Sequence, residues 1–330
     1  MVRLSAIGDV MHTMPVAAAL KRSFPHIRLT WAVEDRCVEL VECNPYVDEV
    51  FSLPRHAWRK RRLSPGTWLN GATRLFELRR RHFDLALDLQ GLLKSAVVAF
   101  VSGAPVRLGY HWQREGARFL VKGVPPTKGS AHVVQQYLDV VRYLGGEAEP
   151  VDFGLHVPDA ATTSARRLLQ DLGVSSPYAV INPSAGHPTK RWPPENFAVV
   201  CERLHAEGVA PVLAGHSSDA PIAAALRTAC PSPVADAVGR TSLVELAALL
   251  RDAYVHIAGD TGSIHMAAAL GVPLVALYAA TDPSRSGPYG RLDSVVSAYR
   301  PDGGGAIEEL SVDAVWERTV QHLHSVRSSA

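Results

Sequence analysis

The chain has 330 residues, 47% of them hydrophobic, 20% charged and 7% aromatic, a composition that fits a globular protein and argues against a disordered, fibrous or membrane-spanning one. That length predicts two domains, and no stretch reaches the roughly 18 uninterrupted apolar residues of a span. The net charge of +2 conceals an asymmetry, with 21 Lys and Arg against 14 Asp and Glu in residues 1–150 and 13 against 18 in residues 151–330.

In chain order, Val2 to Leu4 reads as a short strand, Ser5 to Gly8 as a loop, and Asp9 to about Ser23 as a helix. Pro15 would lie inside that helix, so its regular part is expected to begin near Thr13 or Met14. Strands follow at Leu29 to Val33, Glu49 to Leu53, Leu85 to Leu89 and Val106 to Leu108. Helices are expected at Arg36 to Cys43, Trp68 to Arg81 and Leu92 to Val101. Strands alternating with helices imply parallel pairing. The unpatterned stretch 145–157, with Gly145, Gly146 and Pro150, marks a linker. The alternation then restarts, with strands at Tyr178 to Asn182, Ala210 to Leu213, Val255 to Ala258 and Leu274 to Tyr278. Five helices are expected among them, at Ala160 to Leu172, Pro194 to Glu207, Pro221 to Cys230, Ser242 to Arg251 and Ser263 to Leu270. Val312 to His324 has helical apolar spacing and should close the structure.

The strongest local signal is the strand ending at Ala258, the turn Gly259-Asp260-Thr261-Gly262, and the helix after it. A small-residue turn feeding a helix at the carboxyl end of a strand presents backbone N–H groups to an anion. Gly262 permits close approach, Thr261 offers a hydroxyl, and His265 lies in the first helical turn. The plainer reading is that Asp260 or Thr261 only caps the helix. Asp9 sits similarly in the first half, either as an N-cap or as a carboxylate able to take a proton from an attacking hydroxyl. Lys190, in a polar loop beside Trp192, is either a solvated charge or one held in place to neutralise a leaving diphosphate. The basic run Arg55, Arg59, Lys60, Arg61 and Arg62 is either a solvated face or a site for an anionic acceptor or membrane phosphates.

Several chemistries lack their signatures. Cys37, Cys43, Cys201 and Cys230 have no C-x-x-C spacing, and no two of the 14 histidines pair at metal-binding spacing, so neither a disulfide framework nor a metal is expected. No strand is followed by G-x-G-x-x-G, and neither a P-loop nor a G-x-S-x-G elbow occurs. The first helix carries Asp9, His12, Lys21 and Arg22, which rules out a signal peptide and predicts a cytoplasmic protein.

Four segments carry a resemblance over nearly the whole chain: RLSAIGDVMHTMP at 3–15, DLQGLLKSA at 88–96, TKRWPPENF at 189–197, and GDTGSIHMAAALGVPLVALYAATDPSRSGPYG at 259–290. The chain resembles glycosyltransferase family 9, the ADP-heptose:lipopolysaccharide heptosyltransferases, and DLQGLLKSA looks most like the type I enzymes. The resemblance implies an α/β fold of the GT-B type, two Rossmann-like domains facing a cleft. The implied layout is an acceptor domain at 1–152, a nucleotide-sugar domain at 153–311, and a closing helix and tail at 312–330. It further implies an inverting transfer of heptose from ADP-heptose to Kdo-lipid A, with no cofactor or metal and no nucleic acid partner. The protein would sit peripherally on the inner face of the inner membrane.

Carried over onto this chain, Asp9 would be the general base and Lys190 would stabilise the leaving diphosphate. Ser184, Asp260, Thr261, Gly262 and His265 would bind the donor. Arg55, Arg59, Lys60, Arg61, Arg62, Gln90, Lys94 and Arg114 would line the acceptor side. Two departures from the family pattern stand out. Only Met1 to Leu4 precede the first loop, which predicts a short mid-sheet strand and a natural start upstream. Ala279-Ala280 stands where the family often has Gly, narrowing the room beside the donor. The competing expectations are another GT-B nucleotide-sugar enzyme, such as a different hexose transferase or an epimerase, and a non-catalytic nucleotide-binding protein.

Overall fold

A computed structural model of the chain describes residues 1–54 and 65–329, which fall into two compact units, Met1–His156 and Val157–Ala330. The basic run Arg55, Arg59, Lys60, Arg61 and Arg62 lies outside the described residues.

In the first unit, β1 (Thr30–Glu34) pairs in parallel with β2 (Glu49–Leu53), and β3 (Leu85–Asp88) pairs with β4 (Val106–Gly109), which pairs with β5 (Lys122–Gly123). Residues 1–4 join the two groups. Val2 bridges Ala32 on one side and Asp88 on the other, with Val2 N–H to Leu87 O at 2.8 Å and Ala32 N–H to Met1 O at 2.8 Å. The short first strand therefore lies mid-sheet, as its apolar residues require.

Helix α1 (Ile7–Ser23) runs continuously through Pro15, so the expected late start at Thr13 or Met14 does not occur. Every residue from Val10 to Leu20 is buried, and small side chains such as Ala17, Ala18 and Ala19 admit close neighbours on all sides. The remaining helices of this unit are α2 (Val38–Glu42), α3 (Pro65–Arg79), α4 (Leu93–Val101) and α5 (Val133–Tyr143). Helix α5, absent from the sequence-based expectation, packs on α1 through a stripe that includes Val134, Tyr137, Leu138 and Val141.

The second unit is a six-stranded parallel sheet ordered β11-β10-β9-β6-β7-β8. Its strands are β6 (Tyr178–Asn182), β7 (Ala210–Leu213), β8 (Ala235–Asp236), β9 (Val255–Gly259), β10 (Leu274–Tyr278) and β11 (Val295–Ser297). Every residue of β6, β9 and β10 is buried, as expected for central strands covered on both faces. Helices α6 (Asp159–Asp171), α7 (Pro194–Ala206), α8 (Ala220–Ala229), α9 (Leu243–Arg251) and α10 (Gly262–Ala269) alternate with them. A short α11 (Pro283–Ser286) follows β10, and the terminal α12 (Val312–Ser329) packs on α7 and the sheet through Val315 and Leu323.

Candidate functional site

Because every pair of strands is parallel, each unit gathers its post-strand loops at one end of its sheet, where the chemistry-bearing residues collect. In the first unit, the loop after residues 1–4 is braced from three sides. Gln90 Oε1 accepts from Leu4 N–H at 3.0 Å, and Lys94 Nζ reaches Ser5 Oγ at 3.2 Å and Glu34 Oε1 at 3.5 Å. Arg3 supplies the third brace. Its guanidinium pairs with Asp9 Oδ1 at 2.7 Å, donates to the Leu89 carbonyl, and lies 5.2 Å from the centroid of the Tyr137 ring.

Asp9 is not the N-cap of α1. That place is taken by Ala6, and Asp9, as the third helical residue, reaches back with Oδ2 to accept from Ala6 N–H at 3.2 Å. This is half of a capping box, and its other oxygen faces Arg3. The Asp9 side chain is nevertheless 46% exposed, whereas that of Arg3 is 5% exposed. The carboxylate is thus held by a buried cation and still open to a reactant.

Beneath this loop, Asp88 accepts from Gln90 N–H at 2.9 Å, Gly91 N–H at 3.2 Å and Ser95 Oγ–H at 3.1 Å. Burial pushes its pKa up, against the opposing pull of those donors and of Arg3. Arg114 joins the neighbouring loop, its N–H bonded to Gly91 O at 2.8 Å and its guanidinium 4.3 Å from the Trp112 ring centroid. Asp9, Gln90 and Lys94 therefore meet around one loop, and Arg114 borders it through Gly91.

In the second unit, the turn after β9 places Asp260 between β6 and β10 loops. Lys190 Nζ donates to Asp260 Oδ2, Thr281 Oγ1 donates to the same oxygen at 2.6 Å, and His265 Nε2 lies 3.9 Å from Oδ1. Burial alone would raise the Asp260 pKa. The hydrogen bonds from Lys190 and Thr281, together with the Lys190 charge, outweigh it and hold the pKa below the usual carboxylate value. Burial and then the nearby Asp260 charge push Tyr278 in the opposite direction, well above its ordinary range.

Lys190 is thus fixed by Asp260, while Trp192 turns into the core, 1% exposed, with its ring 4.9 Å from Phe197 and its Nε1–H on Leu310 O. Gly259 makes this possible, because a Cβ there would lie 2.7 Å from the Lys190 carbonyl oxygen. Thr261 is the N-cap of α10, yet its side chain makes no capping hydrogen bond. That counts against the plain capping reading and leaves the first turn, with Gly262 at its start, suited to an anion.

The first turn is anchored from below by a buried relay. His256, fully buried, faces the Val180 carbonyl with Nδ1 at 3.0 Å; a carbonyl only accepts, so Nδ1 carries the proton and Nε2 accepts from Ser263 Oγ–H at 3.0 Å. Ser263 Oγ accepts in turn from Asn182 Nδ2 at 3.3 Å, and Asn182 Oδ1 accepts from Ser184 N–H at 3.0 Å. Ser184 Oγ donates to Asp219 Oδ1 at 2.7 Å. Ala279 packs into the core, whereas Ala280 is exposed. Sequence reasoning missed Arg3, Thr281 and the relay of His256 and Ser263. Arg3, Ser263 and Thr281 stand inside the quoted motifs, but their spacing alone gives them no role. Among the described residues no group of three His, Cys, Asp or Glu side chains is placed to hold a metal ion.

Two Rossmann-like units in one chain, each with its polar cluster at the carboxyl ends of parallel strands, make the GT-B type of glycosyltransferase fold. A glycosyltransferase of family 9 from Veillonella parvula superimposes with a TM-score of 0.85 at 22% identity, covering 98% of this chain and 96% of that one. The Escherichia coli heptosyltransferase WaaC with ADP-2-deoxy-2-fluoro heptose gives 0.74 at 24% identity, covering 97% and 98%. In sequence, lipopolysaccharide heptosyltransferase 1 of Pseudomonas aeruginosa is 32% identical over 298 residues, 88% of this chain and 81% of that protein. The model of glycosyltransferase family 9 (heptosyltransferase) matches residues 73–304, and the chain belongs to that family.

Proposed function

We propose that this glycosyltransferase moves a heptose from ADP-heptose onto the Kdo-bearing lipid A inner core of lipopolysaccharide, with inversion, as a type I enzyme. The type I reading is supported by the DLQGLLKSA segment and by the 32% identity to a lipopolysaccharide heptosyltransferase 1. The donor reading is supported by the heptose nucleotide bound to the Escherichia coli relative and above all by one observation. An ion pair, Lys190 on Asp260, stands beside a helix whose N-cap side chain leaves its first turn open.

In the reaction, the acceptor hydroxyl oxygen attacks the anomeric carbon and the bond from that carbon to the phosphate oxygen breaks, its electron pair leaving with ADP. Asp9 takes the hydroxyl proton. Lys190 and the N-terminal turn of α10, at Thr261 and Gly262, stabilise the charge that builds on the diphosphate. Ser184 and His265 complete the donor side, and Asp260 keeps Lys190 aligned. Gln90, Lys94 and Arg114, with the basic run Arg55, Arg59, Lys60, Arg61 and Arg62, attract the anionic glycolipid. The charge excess of residues 1–150 fits that division of labour, with the first unit as acceptor domain and the second as donor domain. A cytoplasmic enzyme peripheral on the inner membrane's inner face follows from a nucleotide donor and a lipid-borne acceptor. Among the described residues no helix is long and apolar enough to cross a membrane.

The test is ADP release from ADP-heptose with Kdo-lipid A. Asp9→Ala should lower turnover by about 10²–10⁴-fold while ADP still raises the melting temperature. Turnover of that variant at the parent rate would remove Asp9 as the base, and stabilisation by UDP or GDP but not ADP would overturn the donor.

A further inference from the structure

Helix α4 has two faces. Ser95, Ala96, Val98 and Ala99 are buried against the sheet, while Leu93, Val97 and Phe100 are 44%, 36% and 48% exposed. Their spacing of four and then three residues lines them along one side of the helix. The stripe has aromatic neighbours on both flanks. The turn Ala117–Phe119 packs on α4, with Phe119 79% exposed, and Leu93 N–H bonds to Glu115 at 3.3 Å, bringing the loop from Trp112 alongside. On the other flank α3 packs on α4 and leaves Phe76 exposed.

Four exposed aromatic side chains on and around α4 each carry an arginine. Arg107 lies 5.3 Å from the ring centroid of Phe100, Arg118 lies 5.2 Å from Phe119, Arg114 lies 4.3 Å from Trp112, and Arg80 lies 5.9 Å from Phe76. Arg80, Arg114 and Arg118 are exposed at the surface, whereas Arg107 is half-buried and donates from Nε and Nη1 to the Leu120 and Ala104 carbonyls at 2.9 and 2.7 Å. The result is an apolar centre with a cationic rim, on one side of the unit with the positive charge excess.

We propose that this α4 face is where the protein docks on an anionic lipid bilayer, its apolar side chains entering the interface and its arginines meeting lipid phosphates. The charge pattern selects that occupant. Phosphate-bearing headgroups over an apolar layer match a cationic rim around an apolar stripe, and aromatic rings with snorkelling arginines suit that boundary. A second copy fits poorly, since a two-fold contact would set the same guanidiniums against each other. The proposal rests on the acceptor reading above and deepens it. Helix α4 also carries Lys94, bonded to the Ser5 loop, so docking would place a lipid-anchored sugar near the Asp9 loop.

The experiment is flotation of the full chain with vesicles of phosphatidylcholine alone or mixed with phosphatidylglycerol, together with turnover on acceptor dispersed in detergent. The parent should float with anionic vesicles, and less as salt rises. Val97→Asp with Phe100→Asp should lose at least tenfold in vesicle binding while keeping its melting temperature and its turnover on dispersed acceptor. Arg118→Glu with Arg80→Glu should lose binding to anionic vesicles in the same way. Unchanged flotation in both double variants, equal binding to neutral vesicles, or a concentration-dependent dimer lost in the variants would each overturn the proposal. Loss of dispersed-acceptor turnover in the parent would instead strike the acceptor reading.

Discussion

His256 is buried with its Nδ1 proton on Val180 O, and burial lowers its pKa from 6.5 to about 4. A folded pKa below the unfolded one means that the unfolded chain binds more protons between those values. Stability is therefore fully present above about 6.5 and is lost as pH falls toward 4, by about 3 kcal/mol. Asp260 has the same sign in a lower window: its depressed pKa contributes stability above the ordinary carboxylate range and loses it below about pH 4. The two are separable by urea titration at pH 7, 5 and 3.5. His256→Gln should flatten the parent's decline between pH 7 and 5, where Asp260→Asn should leave it intact. His322, also lowered by burial, adds to the decline in parent and variant alike and cancels in their difference. An unchanged slope in His256→Gln would show that the buried relay does not hold His256 neutral.

At the scale of elements, the donor-side turn depends on how closely β9 meets the loop that carries Lys190. Gly259→Ala would push a methyl to within 2.7 Å of the Lys190 carbonyl oxygen, a backbone atom with little room to yield. Overpacking of this kind costs about 1–3 kcal/mol, and the loop must move to relieve it. The expected result is a lower melting temperature and a smaller ADP-induced rise, since displacement of Lys190 also loosens its bond to Asp260. A variant with parent-like ADP stabilisation would show that Lys190 placement does not govern the site. Strand ends and helix limits near this turn were legible in the sequence: β6, β7 and β10 lie where their apolar runs predict. Helix α5 was legible too, since Val134, Tyr137, Leu138 and Val141 stand at helical spacing, although it is absent from the sequence-based expectation; the two-residue strands β5 and β8 were not legible, because two residues carry no period.

For the whole molecule, two units with separate cores predict a divided response to ligand. ADP at a hundred times its dissociation constant stabilises what binds it by about 2.7 kcal/mol. Hydrogen exchange with ADP should therefore slow most in β6, β9 and α10 of the second unit, with little change in α1, α4 and β3 of the first. Equal protection in both units, or protection centred on the first, would reverse the assignment of donor and acceptor domains.

The sequence by itself determined the alternation of strands and helices, the parallel sheets, and the turn from Gly259 to Gly262, because periodicity and small-residue turns act over a few neighbouring residues. It also named Asp9, Lys190 and Asp260 as the charges that matter. Only the tertiary structure decided what holds them. Asp9 is set by Arg3, which is fixed in turn by Leu89 O and Tyr137, and Lys190 is set by Asp260, 70 residues away in the chain. Such partners are chosen by the order of strands in a sheet and by burial, which strengthens each charge pair and penalises each charge left alone, and neither is written in local spacing.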